Sequence, residues 1–88
     1  MVNKAVSQKV LEYTAIFEPA KEGGYVVSVP SLPGCVTEGD TLKEATRMIK
    51  DAIKGYLLVL KAEGQKIPRE KSDVIVSKIS IDNLAAYI

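Results

Sequence analysis

The feature that most constrains this chain is a single long amphipathic segment with explicit start and stop signals, beginning at Thr41-Leu42-Lys43-Glu44 and ending before Gly64. Thr41 suits the N-cap of a helix, and Glu44, three residues on, can reach back to an open amide, the pattern of a capping box. Gly64 suits the C′ position, where a left-handed backbone closes the last turn. The helix is therefore expected to run to about Glu63. At about 100° per residue, Leu42, Ala45, Met48, Ile49, Ala52, Ile53, Tyr56, Leu57, Val59 and Leu60 fill one broad half of its surface. Lys43, Arg47, Lys50, Lys54 and Lys61 gather within roughly 60° on the other side. One helix of this length in an 88-residue chain must bury its apolar half against something else, and the flanking segments read as strands.

Tyr13, Ala15 and Phe17 alternate with polar neighbours between Val10 and Glu18, a period of two that marks a half-buried strand. Pro19 ends it, and Lys21-Glu22-Gly23-Gly24 supplies a hairpin loop. Tyr25 to Val29 forms the return strand. Pro30-Ser31-Leu32-Pro33-Gly34 cannot continue a ladder, because proline lacks the donor and glycine permits a reversal. Cys35 to Glu38 is a short third strand closed by Gly39-Asp40. After the helix, Val74 to Ile81 reads as a last strand with Ile75, Ser77, Ile79 and Ile81 in phase. The order β-β-β-α-β gives an α+β two-layer sandwich, an antiparallel sheet with one long helix on one face. Residues 1–9 read as an N-terminal arm, 10–82 as the domain, and 83–88 as a short tail.

Composition narrows the chemistry. There is no histidine and one cysteine, Cys35, which removes the commonest general base and metal ligand together with any internal disulfide or thiolate zinc site. Acids are scattered: Glu12 and Glu18 share a strand face but lie about 20 Å apart, and Glu38 and Asp40 sit on another strand end. Two-metal nuclease chemistry needs several carboxylates converging on cations about 4 Å apart. A free cysteine at a strand start is expected to be an inert, small buried hydrophobe. No enzyme and no cofactor is expected. The longest apolar run, Tyr56 to Leu60, falls short of the roughly 20 residues that cross a bilayer, and the N-terminus carries no apolar signal region. The expected location is the cytoplasm.

The overall charge of +1 conceals a division, −2 over residues 1–40 and +3 over 41–66. The helix therefore holds the positive charge. Solvation is the default use of such a stripe. Leu58, which projects among the lysines, makes a protein contact the alternative. Nucleic-acid binding would want aromatic residues beside the cations, and none falls on that face.

The run from Gly24-Tyr25 through Pro30, Leu32-Pro33-Gly34-Cys35, Thr37, Gly39-Asp40-Thr41 and Glu44-Ala45 resembles, in register, the signature of the HicB-like antitoxin family, and Ile67-Pro68 matches a common ending after the helix. The resemblance covers about Tyr13 to Ile81. Ser31 departs from it, standing where the family usually carries an acid. The resemblance implies a sheet-and-helix fold likened to a reduced ribonuclease H core, in a domain of the stand-alone kind without a DNA-binding module. It also implies a partner, a small mRNA-cleaving toxin of the HicA type held inactive by direct contact. Pro30, Gly34, Cys35, Gly39, Asp40, Thr41 and Glu44 are read as fold-signature turn and cap residues. Tyr25, Leu32, Pro33, Lys43, Arg47, Lys50, Lys54 and Leu58 are read as partner-binding candidates. Self-association as a homodimer or larger oligomer is expected through short edge strands such as Cys35 to Glu38 or Val74 to Ile81. Two other functions compete: a homo-oligomeric structural or small-ligand-binding protein with no toxin, and a small RNA- or DNA-binding regulator using the helix stripe.

Overall fold

The computed structural model describes residues 11–71, 73–83 and 85. The proposed arm at residues 1–9 and the tail end at 86–88 lie outside them. Three short strands, β1 (Ile16–Pro19), β2 (Tyr25–Ser28) and β3 (Val36–Gly39), form an antiparallel sheet in the order β1-β2-β3, followed by one helix, α1 (Leu42–Ala62). The arrangement is α+β, as the alternation in the sequence implies. The hairpin register pairs Glu18 with Val26 and Ile16 with Ser28, while Val26 faces Glu38 and Ser28 faces Val36 on the other side.

Both helix ends are built as their sequence signals require. Thr41 accepts a hydrogen bond from the Glu44 amide at 3.0 Å through its Oγ1. The Glu44 carboxylate reaches back to the amide of Asp40 at 2.6 Å, one residue before the cap itself. At the far end the Gly64 amide donates to Lys61 and the Gln65 amide to Leu60, with Gly64 at φ +70°. That is the paired bonding of a Schellman closure, and it needs the left-handed conformation glycine adopts without strain.

The core lies between helix and sheet and is small: Val27, Val29, Leu32, Cys35, Ala45 and Ile49, with Tyr13, Ala15, Phe17, Tyr25, Ala52, Ile53, Tyr56 and Leu57 packed around it. The buried stripe of α1 is narrower than its apolar pattern suggests. Leu42, Met48 and Val59 are exposed; at Val59, in the C-terminal half, a helix of about 30 Å overhangs strands of about 13 Å.

The largest departure from the sequence reading concerns Val74 to Ile81. It joins no helix and no ladder, so the fourth strand is missing from the sheet of the single chain. Val74, Ile75, Val76, Ile79 and Ile81 are between 60% and 88% exposed. Burying such a side chain is worth roughly 1.5–3 kcal/mol, and the lone chain forgoes it. The cause is the connection: Tyr13 donates its hydroxyl hydrogen bond to the Pro68 carbonyl, and Glu70 is tied to Thr14. The chain is thereby held at the N-terminal end of β1 and does not run along its free edge.

Helix and sheet meet most tightly where β3 turns into α1. A Cβ placed on Gly39 would lie 2.5 Å from the amide nitrogen of Ala45 and 2.7 Å from its Cα. The obstacle is backbone and cannot swing aside. Gly39→Ala should therefore destabilise the fold by about 2 kcal/mol, lowering Tm by roughly 10 °C for a domain of this size. Thermal unfolding followed by circular dichroism checks this, with Gly55→Ala, inside α1 where a Cβ meets nothing within 4 Å, as the contrasting substitution, expected to stabilise by about 0.5–1 kcal/mol.

Candidate interaction surfaces

The reversal between β2 and β3 is built from two successive turns. The Leu32 amide donates to Val29, the Cys35 amide to Leu32, and the Val29 amide to Cys35. Gly34 supplies the positive φ of +86°, Pro30 and Pro33 are exposed, and Leu32 is folded inward to 0% exposure. This corrects one candidate: Leu32 is a core residue and offers nothing to a partner in this conformation. The Tyr56 hydroxyl donates to the Pro33 carbonyl at 2.9 Å, fastening the loop to the helix. Cys35 is buried, and that burial raises its thiol pKa, which keeps the sulfur protonated and unreactive at neutral pH.

Glu70 is the polar centre of this end of the molecule. One carboxylate oxygen accepts from the Thr14 amide at 2.9 Å and from the Ser31 hydroxyl at 2.8 Å, and the other accepts from the Thr14 hydroxyl at 2.8 Å. Ser31, which stands where an acid was expected, thus meets an acid supplied from after the helix. The bonds from Thr14, backbone first, and then from Ser31 hold the Glu70 carboxyl below its usual pKa. Beside it, Leu11, Glu12, Tyr13, Thr14, Arg69, Glu70, Lys71 and Val74 line an open cleft of about 280 Å³.

The remaining partner candidates do not form one patch. Lys43, Arg47, Lys50 and Lys54 are exposed along α1, with Arg47 only grazing Glu44 at 4.0 Å. Tyr25 is half-buried in β2 and packs on the core. Leu58, 68% exposed, does join lysines as its position suggests. With Lys54, Lys61, Leu11, Leu57 and Ile67 it lines a groove of about 380 Å³ with almost wholly apolar walls.

A further surface emerges only once strands are in register. The sheet face turned away from the helix carries two cross-strand rows, Ile16–Ser28–Val36 and Glu18–Val26–Glu38. Ile16 and Val36 are 44% and 54% exposed, and both glutamates are exposed. Two strand spacings put Glu18 and Glu38 about 10 Å apart with Val26 between them. It is an apolar strip crossed by two carboxylates, on a rigid scaffold. Reading each acid within its own strand could not reveal it; the hairpin register could have. Among the described residues, no three His, Cys, Asp or Glu side chains gather as metal ligands would, and no helix is long and apolar enough to cross a membrane.

Comparison with known proteins finds relatives of the chain as a whole. A family model for the HicB-like antitoxin of bacterial toxin–antitoxin systems matches residues 13–85. A UPF0150 protein of Thermoplasma acidophilum is 48% identical over 65 residues, 74% of this chain and 94% of that protein. A UPF0150 protein of Synechocystis is 40% identical over 74 residues, 84% of this chain and 91% of its own length. The antitoxin HicB 1 of Photorhabdus laumondii is 40% identical over 60 residues, which take in 68% of this chain and 39% of that antitoxin.

The Glu70 bonds carry a pH signature. A carboxyl whose pKa is lowered by folding stabilises the fold fully above its unfolded value of about 4.3, and that contribution drains away as pH falls through the lower folded value. Glu70→Gln should cost about 1 kcal/mol at pH 7. It should also flatten the loss of stability on acidification from about pH 5 to pH 3. Urea unfolding of both proteins across that range measures it.

Proposed function

The chain belongs to the HicB-like antitoxin family of bacterial toxin–antitoxin systems, and from that membership we propose that it binds and inhibits a small mRNA-cleaving toxin of the HicA kind by covering its active surface. Occlusion requires a complementary patch of about 800 Å² per partner and no reactive group. An enzyme that holds RNA must present cations to phosphate, so its inhibitor needs the opposite sign. The outer sheet face, with Glu18 and Glu38 around Val26, Ile16 and Val36, has that sign and an apolar centre, and it is the observation that carries the reading. The helix stripe of Lys43, Arg47, Lys50 and Lys54 has the wrong sign for such a surface and serves solvation. Pro33, Tyr25 and the turn residues hold the fold that presents the sheet.

Co-expression with the small open reading frame adjacent to this one, followed by affinity capture and an mRNA-cleavage assay, tests the proposal. The intact chain should capture the neighbouring product and suppress cleavage. Glu18→Lys with Glu38→Lys should weaken capture by 100-fold or more, on the order of 3 kcal/mol from two reversed charges at a desolvated contact. Arg47→Glu with Lys50→Glu should leave it within about threefold, the modest effect of a charge outside the contact. The opposite ranking would move the interface to the helix. Absence of any captured nuclease would remove the antitoxin reading. RNA affinity of the chain alone that collapses between about 50 and 200 mM salt would favour the nucleic-acid regulator.

A further inference from the structure

The segment Val74–Ile81 has the alternation of a strand and joins no ladder, while the sheet has two open edges, of which that of β1 lies beside the point where the segment departs. Ile75, Ile79 and Ile81 fall on one side of a period-two pattern with Ser77, and Val74 and Val76 on the other with Lys78 and Ser80. Eight residues span about 26 Å, ample for a four-residue edge. The own-chain edge is not approached. Glu70 is pinned at Thr14, and Val74 lines the same cleft as Leu11 and Glu12, so the chain proceeds opposite to β1 and away from Ala15–Pro19.

That edge is open to a ladder. The Ala20 amide bonds to Gly24 across the hairpin, so by alternation Glu18 and Ile16 bond inward to β2 and the amides of Phe17 and Ala15 point outward. Pro19 has no amide to leave unpaired. On the helix side, the apolar groove of Leu11, Leu57, Leu58 and Ile67 stands open. Lys54 and Lys61 frame it, and Asp73 and Asp82 frame the apolar run of the strand.

We propose that Val74–Ile81 is an exchange strand: it completes the sheet of a second copy of this chain at that copy's β1 edge, with Ile75, Ile79 and Ile81 turned toward the copy's Leu11–Leu57–Leu58–Ile67 groove, and receives the same from it. Reciprocal exchange is a closed two-fold arrangement. Each chain contributes both a strand and an edge, an area on the order of the 800 Å² per partner of a standard interface. The outer face with Glu18, Val26 and Glu38 stays free and is widened. The dimer requires no toxin, so its test is separate from that of the inhibitor reading.

The purified full chain, alone, is examined by sedimentation and by amide hydrogen exchange over a range of micromolar concentrations. The expected mass is twice the 9.5 kDa of one chain. Amides of residues 75–81, together with those of Ala15 and Phe17, should be protected and should lose that protection on dilution to monomer. Ile75→Lys with Ile79→Lys should sediment as a monomer with unchanged helical circular dichroism. A wild-type monomer overturns the proposal, as does a doubly substituted chain that remains dimeric. Should that variant fail to fold, exchange on the wild type decides. Protection that persists in the monomer means the strand closes on its own sheet. Protected tails beside freely exchanging Ala15 and Phe17 mean tail-to-tail pairing. Either result sinks the exchange.

Discussion

The structure depends on how closely β3 can bring the start of α1 to the sheet. Gly39 lies against the backbone of Ala45, and the capping bonds of Thr41 and Glu44 fix the first turn within six residues of that contact. A side chain at Gly39 would wedge the layers apart where the helix is launched, and every later helical residue would be displaced with it. The small interlayer gap explains the composition of the core. Ala45 is fully buried beside Val27 and Leu32, and there is no space at this end for anything larger. Interiors pack at crystal-like density, so a fold with this little core gains its definition from the closeness of that one approach.

A second consequence is a mismatch of lengths. The helix extends well past the short strands, and what it cannot bury at its C-terminal half becomes the groove at Leu57 and Leu58. The chain then turns back only as far as Pro68 and Glu70, which are tied to Tyr13 and Thr14. An uncovered apolar groove, an unpaired strand edge and an unpaired apolar segment are left on one small molecule. Free edges and large exposed apolar surfaces are features that soluble proteins ordinarily cover or blunt. The proposed exchange treats them as complementary halves of one contact.

Much of this was legible in the amino-acid sequence because it is local. The cap at Thr41, the closure at Gly64, the hairpin at Gly23-Gly24 and the alternation of Tyr13, Ala15 and Phe17 each depend on residues a few positions apart. Leu32 is buried although a Pro- and Gly-rich loop reads as surface. Its one large apolar side chain, between Pro30 and Pro33, was the signal that the loop is pinned inward. Val74–Ile81 carries strand chemistry, but a period of two specifies a face and never a neighbour. The Glu18–Val26–Glu38 row is not visible along the chain, because it is created by register across three strands. Glu70 and Ser31, 39 positions apart, could not be paired by spacing at all.

The division of charge follows from the same architecture. The acidic first half of the chain makes the sheet and the basic middle makes the helix, so a near-neutral molecule has an acidic layer against a basic one. Net charge of this size gives little long-range attraction, yet opposed faces orient a charged partner as it approaches within a Debye length of about 8 Å at physiological salt. A cationic partner is turned toward the sheet and repelled by the helix. Because the sheet is held by backbone ladders and a tight layer contact, the proposed association on that face would need little ordering and would keep free energy that a flexible loop would lose. In the proposed inhibitor reading, charge sorting between layers is what selects both the face and the sign of the protein to be covered.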